Sequence, residues 1–254
     1  MANLGRSSYL MKNNANIHFC ILLPVINEAD NLRFLLPEIH HLFPGATVLV
    51  IDDNSSDNTS EVIQQNIQCG MNIKHLKRNH RFGIGSAHKI GIKFATENNY
   101  QILCTMDADL THDPKEIQKL LAVSTNSEIT IGSRFSLGGA MVNWKMSRKI
   151  LAKTGNLMTN FLFNMKLDSS SSFRIYRLGP DFLRILKIAP DGYDFFFTST
   201  ILFRYAGIVI KDVGVKMNQR LNGESKMTLS YVFRGIYRIF LWKIQLKKKL
   251  RIIN

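Results

Sequence analysis

Acidic residues are scarce in this chain: 19 Asp and Glu face 33 Lys and Arg among 254 residues, a formal charge of +14. Cysteine is scarcer still. Cys20, Cys69 and Cys104 are odd in number and far apart, which excludes a disulfide framework, and two lie in apolar runs where a thiol behaves as a small hydrophobe. A reduced cytosolic protein is expected. The longest uncharged apolar run, Phe195–Phe203, falls far short of the roughly 18–20 residues that span a bilayer. Residues 1–16 hold no apolar stretch before a cleavage site, so they read as a disordered lead-in and no secretory leader is expected. Six prolines and 16 glycines are too few for a fibrous or low-complexity chain, while 45% hydrophobic and 20% charged residues are ordinary for a globular one. The length suffices for one sizeable core.

What is present is a basic excess with a place. Residues 215–254 carry ten Lys and Arg against Glu224 alone, which accounts for +9 of the +14. Such a segment implies a polyanionic partner: nucleic acid, an anionic membrane or a phosphorylated substrate. Within residues 228–254, Tyr231, Phe233, Ile236, Tyr237, Phe240 and Trp242 interleave with Arg and Lys, the pattern of an amphipathic helix lying on an anionic lipid surface. A helix packed on the core with a solvated charged side produces the same pattern. Because the basic residues are bound up with so apolar a segment, lipid is favoured over nucleic acid.

The first half alternates short apolar strands with helical patterns. Strands are expected at His18–Val25, Thr47–Ile51, Asn72–Leu76, Gln101–Met106 and Glu128–Gly132, with helices between them. This is the signature of an α/β fold with a mostly parallel sheet flanked by helices. Ligands of such sheets bind outside the carboxyl ends of the strands, so strand-end residues are the place to seek chemistry. Asp52 and Asp53 end the second strand, and Asp107 and Asp109 end the fourth. In an extended Asp107-Ala108-Asp109 both carboxylates share a face and suit Mg²⁺ or Mn²⁺ completed by phosphate oxygens. Gly83-Ile84-Gly85 is an incomplete phosphate cradle, for which helix–sheet packing is the better reading. His112 reads as a satisfied loop histidine, and Asp191 and Asp194 as helix caps.

Four segments fall in one order: Pro24-Val25-Ile26-Asn27-Glu28, Val50-Ile51-Asp52-Asp53-Asn54-Ser55, Gly83-Ile84-Gly85-Ser86, and Asp107-Ala108-Asp109-Leu110-Thr111. Together they resemble the nucleotide-sugar half of the family 2 glycosyltransferases, inverting enzymes of the GT-A type. Gly132-Ser133-Arg134-Phe135, Trp144 with Arg148, Ser172-Phe173-Arg174-Ile175-Tyr176-Arg177 and Gly223-Glu224-Ser225-Lys226 narrow the likeness to the polyprenyl-phosphate (dolichol-phosphate) mannosyltransferase branch. The resemblance covers residues 17–227, which would form the catalytic domain.

That resemblance implies inverting transfer of a hexose, mannose from GDP-mannose being favoured, to a polyprenyl phosphate on the cytoplasmic side of a membrane. A transferase using a UDP-sugar donor, glucose or an N-acetylhexosamine, is the alternative, and a nucleic-acid-binding protein or an inactive scaffold relative is a more distant one. Pro24, Asn27, Glu28 and Asp53 would line the nucleotide pocket. Asp107, Asp109 and Thr111 would hold Mg²⁺ or Mn²⁺, and Arg134, Arg148, Arg220 and Lys226 would gather round the acceptor phosphate and donor diphosphate, with Asp109 counted in the catalytic set. Three positions depart from the family pattern. Thr198 and Gln219 stand where relatives are often acidic, and Gly214 where a proline is usual. A phosphate acceptor is already an oxyanion at neutral pH and needs positioning more than a base, so these neutral residues fit a lipid-phosphate acceptor.

Overall fold

A computed structural model describes residues 18–220 and 237–245. The expected lead-in 1–16, the Asn222–Lys226 motif with Lys226, and all of 228–254 except 237–245 lie outside the described residues. The strands are β1 (Phe19–Val25), β2 (Thr47–Asp52), β3 (Ile73–Lys77), β4 (Ile102–Thr105), β5 (Ile129–Ser133), β6 (Ala140–Val142), β7 (Arg174–Arg177), β8 (Ile210–Gly214) and β9 (Lys216–Asn218). The helices are α1 (Ala29–Leu42), α2 (Thr59–Gln68), α3 (Ile84–Glu97), α4 (Ile117–Ser124), α5 (Met146–Phe163), α6 (Phe182–Leu186), α7 (Phe195–Tyr205) and α8 (residues 237–245).

Seven strands form one sheet in the order β3-β2-β1-β4-β7-β5-β8. All neighbours run parallel except β7, which is antiparallel to both β4 and β5. Alternate residues of β1 serve opposite faces, as a period of two requires. Phe19, Ile21, Leu23 and Val25 join Leu32, Leu35, Leu36 and Ile39 of α1 and Val62 and Ile63 of α2. Cys20 and Leu22 join α3, α6 and α7 on the other side. A sheet covered on both faces is why its strands read as continuous apolar runs.

Two short strands, β6 and β9, pair in parallel as a separate ribbon, Ala140–Lys216 to Val142–Asn218. Neither was expected, because three-residue strands are too short to show a period. Residues 137–139 pass so close to Gly214 that any Cβ would meet the backbone of Leu137 and Gly139. The departure at Gly214 is therefore steric: a proline ring does not fit against this loop.

The Gly83-x-Gly85 pair is a packing device, though its neighbour is not the sheet. Gly83 has φ +91°, and Cβ atoms on Gly83 or Gly85 would strike the backbone of Pro190 and Asp191. Helix α8 seats Ile239 and Trp242 in the core cluster shared with α7, while Tyr237, Phe240 and Ile244 stay exposed. Its Arg238 donates to Asp194 at 2.5 Å and Lys243 to the Leu162 carbonyl. Asp194 thus pairs with α8 rather than capping α7 through its side chain, and Asp191 pairs with Lys89 at 2.9 Å.

Candidate active site

The carboxyl ends of β1, β2 and β4 meet along one edge of the sheet, as the parallel order demands. On the β1–β2 side, the loop after β1 is laced to the loop after β2. Asn27, at φ +54°, donates its N–H to Ser55 Oγ (2.9 Å), and its Oδ1 accepts from the Ser56 N–H (2.8 Å). The Glu28 N–H donates to Thr59 Oγ1 (3.1 Å), and the Ala29 N–H to Asp57 Oδ2 (3.1 Å). Burial works against the Asp57 carboxylate, but the Thr59 hydroxyl and the N–H groups of Ala29 and Thr59 outweigh it and hold its pKa below the usual range. Half-buried Pro24 ends this wall. Asp53 pairs with the buried Arg78, which also donates to Ser86 Oγ (2.9 Å) and lies over the Phe82 ring at 5.4 Å. Burial pushes the Asp53 carboxyl up despite that partner.

Beyond β4 the chain bends through residues 108–111 rather than staying extended as expected. Leu110 has φ +63°, uncommon for a bulky residue and worth about 1–3 kcal/mol of strain, the kind of cost retained where a site needs the shape. The turn is clamped at both ends. The Asp107 N–H donates to His112 Nδ1 (2.9 Å), whose ring stacks on Phe173 at 4.7 Å. Asp109 Oδ1 accepts from the Thr111 N–H (3.1 Å) and hydroxyl (2.6 Å). Asp109 Oδ2 accepts from Arg220, Nε at 2.8 Å and a terminal nitrogen at 2.6 Å.

The two carboxyls are driven apart. Burial, then the charge of Asp109, raises the Asp107 pKa even though Ser172 Oγ donates to it (3.0 Å). Burial also opposes ionisation of Asp109, but the Thr111 hydroxyl and the Arg220 guanidinium prevail and hold its pKa low. Among the described residues no three His, Cys, Asp or Glu side chains gather into a metal cluster. Two carboxylates and a hydroxyl are hard oxygen donors suited to Mg²⁺ or Mn²⁺ completed by diphosphate and water, and Asp109 already attracts a cation in the form of Arg220. The residues fit the metal.

The expected cations are distributed, not massed. Arg134 is bound in a fork by Asp168 (Nε 2.9 Å, terminal nitrogen 2.7 Å), with its N–H on the same carboxylate at 3.1 Å and Ser170 Oγ at 2.6 Å. Burial opposes the Asp168 carboxylate, yet Arg134 holds its pKa low. Arg148 stands on the first turn of α5 with its guanidinium 5.1 Å over Trp144, whose indole N–H donates to the Asn218 carbonyl (2.9 Å). That contact brings Arg148 toward the same strand end as Arg220. Arg174 is fully buried and donates to the carbonyls of Ser171, Ser169 and Phe196 and to Ser199 Oγ, which ties the 169–171 loop to α7. Thr198 is fully buried in α7, whereas Gln219 is exposed.

Arg78, Asp57, Asp168, Ser172 and His112 were not assigned site roles from the sequence. Arg78 directly follows β3, so the strand-end rule could have found it. Asp168 and Ser172 precede their strand, and only the reversed direction of β7 brings them to this edge.

Comparison with known proteins agrees with this geometry. The family model described as Glycosyl transferase family 2 matches residues 20–182. Polyprenol monophosphomannose synthase of Mycolicibacterium smegmatis is 29% identical over 229 residues, covering 89% of this chain and 86% of the relative. Undecaprenyl-phosphate mannosyltransferase of Micrococcus luteus is 31% identical over 225 residues, 87% of this chain and 92% of the relative. Among solved structures, glucosyl-3-phosphoglycerate synthase of Mycobacterium tuberculosis, in complex with Mn²⁺, UDP and phosphoglyceric acid, superposes with TM-score 0.66 at 16% identity, covering 94% of this chain and 81% of that one. The same enzyme was also crystallised with Mg²⁺ and UDP, with TM-score 0.65, 17% identity and coverage of 93% and 83%. At that identity the likeness speaks for the fold, a GT-A-like parallel sheet, and the sequence matches speak for descent: the chain belongs to the glycosyl transferase family 2.

Proposed function

We propose that the protein transfers a hexose, mannose from GDP-mannose, to a polyprenyl phosphate with inversion, and that it works as a peripheral enzyme on the cytoplasmic face of a membrane. The observation that carries this reading is the Asp107–Asp109 turn, held at the carboxyl edge with Arg220, in a chain about 30% identical to two named polyprenyl-phosphate mannosyltransferases. Pro24, Asn27, Glu28 and Asp53 would receive the nucleoside. Asp107, Asp109 and the Thr111 hydroxyl would hold Mg²⁺ or Mn²⁺, which when bound neutralises the leaving diphosphate. Arg220 would then be drawn from Asp109 toward phosphate oxygens, a better match for its fork. Arg134, set by Asp168, and Arg148 would orient the acceptor phosphate for in-line attack. Transfer forms a bond from that phosphate oxygen to the anomeric carbon as the bond to the diphosphate breaks, and no protein base need take a proton.

Membrane association draws on α5, which exposes Met146, Ile150, Leu157 and Phe161 beside Lys145, Arg148 and Lys153, and on Tyr237, Phe240 and Ile244 of α8. No helix among the described residues is long and apolar enough to cross a membrane.

The test incubates the purified protein with Mn²⁺, undecaprenyl phosphate and either GDP-mannose or a UDP-hexose. The expected result is a lipid-linked mannose from GDP-mannose, reduced at least 100-fold in Asp109→Asn, the scale of one removed electrostatic contact in a reacting site. No lipid-linked sugar from any donor, or full activity in Asp109→Asn, overturns the reading.

A further inference from the structure

Beside the Asp109–Arg220 pair lies a cavity of about 470 Å³ lined by Leu110, Asn143, Asn218, Gln219 and Arg220. We infer that Asn143, Asn218 and Gln219 form the wall that reads the hydroxyls of the donor sugar and thereby sets which hexose is transferred; this rests on the transferase reading above.

Three side chains of the cavity are carboxamides, and none of them has a hydrogen-bond partner among the described residues. A carboxamide offers two donors and an acceptor without charge, which matches the vicinal hydroxyls of a hexose and not a phosphate. Their backbones, by contrast, are fixed. The Asn218 N–H donates to the Thr111 carbonyl (2.9 Å) and the Gln219 N–H to the Val142 carbonyl (3.0 Å). Asn143 is left-handed at φ +59°, at the end of β6. The β6–β9 ribbon therefore holds three free amide groups on a rigid frame that is itself bonded to the metal-side turn. The floor is Leu110, whose left-handed backbone brings an apolar side chain under the cavity. Arg220, which pairs with Asp109, is part of the cavity's lining, so a sugar carried on a diphosphate bound at that pair would lie against this wall. The cavity exceeds the bulk of one hexose, so water or the acceptor head group shares it.

The measurement is titration calorimetry with Mn²⁺, using GDP, GDP-mannose and GDP-glucose, with UDP-glucose and UDP-galactose as the uridine pair, together with initial rates on undecaprenyl phosphate. The variant is Asn143→Gly/Asn218→Ala/Gln219→Ala. Each neutral hydrogen bond is worth roughly three- to tenfold in affinity. Discrimination between the epimers is expected to fall at least tenfold, with KM for the preferred donor raised and GDP affinity held within about twofold. Should the triple variant fail to fold, Asn143→Gly and Gln219→Ala, whose side chains are exposed, carry the test singly. Unchanged epimer discrimination with GDP affinity retained overturns the inference, as does a rise in KM for undecaprenyl phosphate alone. If the wild type binds nucleotide sugars yet makes no lipid-linked product, the transferase reading falls and the calorimetric discrimination still decides this one. If it binds no hexose donor with epimer preference, the inference is overturned too.

Discussion

Arg134 gives three of its hydrogen bonds to one carboxylate, so its direction is set by Asp168, a residue only 1% exposed. The strand-end logic that found Asp53, Asp107 and Asp109 could not have assigned it, because a lone Asp before a strand has no distinguishing spacing. Replacing Asp168 by Asn removes a charge while keeping shape and leaves a guanidinium buried against a neutral amide. Breaking such a pair costs about 3–5 kcal/mol. The expected outcome for Asp168→Asn is a loss of that order in urea denaturation and a KM for undecaprenyl phosphate raised more than the KM for the donor. Equal stability, or a defect confined to the donor, would contradict a positioning role. His112 carries the same lesson. It was read as a satisfied loop histidine, and it is satisfied, but its Nδ1 is spent on fixing the Asp107 N–H, which makes it part of the turn's frame.

At the scale of elements, the first five strands and four helices were legible because each carries an unbroken apolar run or a helical period. The short ribbon β6–β9 and the direction of β7 were not, since pairing and polarity are set by tertiary contacts that leave no local pattern. Yet these two features finish the site. Antiparallel β7 puts Ser172 opposite Asp107, and the ribbon carries Asn218 to Thr111. The packing of α3 on α7 has its own consequence. His88 of α3 is fully buried between Phe195 and Phe196 of α7, with ring centroids at 5.5 and 4.9 Å, and neither ring nitrogen has a hydrogen-bond partner among the described residues. Burial, then the charges of Arg174 and His112, lowers its pKa from 6.5 to about 3. Below pH 6.5 the unfolded chain takes up a proton that the folded chain refuses, so the contribution is complete above 6.5 and drains away as pH falls toward 3. From pH 7 to pH 5 this amounts to about 2 kcal/mol. Denaturation midpoints at the two pH values should differ by correspondingly less in His88→Phe than in the wild type. An identical pH slope in both would mean that the ring is protonated in the folded state.

The whole molecule carries +14, and +9 of it falls in residues 215–254, so its approach to any anionic surface is governed by where that charge lies relative to exposed apolar groups. A nucleic-acid binder needs cations along a groove with stacking aromatics. Here Arg220 faces the acidic turn, while Arg148, Lys149 and Lys153 share α5 with the exposed Met146, Ile150, Leu157 and Phe161, and Lys145 immediately precedes that helix. Charge and apolar contact make separable contributions. Basic residues near an anionic bilayer contribute about 1 kcal/mol each at low salt and are screened over about 8 Å at physiological ionic strength, whereas apolar insertion is insensitive to screening. Cosedimentation with phosphatidylglycerol-containing vesicles should therefore weaken steeply as NaCl rises and keep a residual component that neutral phosphatidylcholine vesicles share. Ile150→Ser/Phe161→Ser should lower that residual at every salt concentration and leave the slope, while Lys149→Gln/Lys153→Gln should flatten the slope and leave the residual. Duplex DNA competing for the same protein at physiological salt, or vesicle binding indifferent to both pairs of substitutions, would show that the excess charge serves a different polyanion.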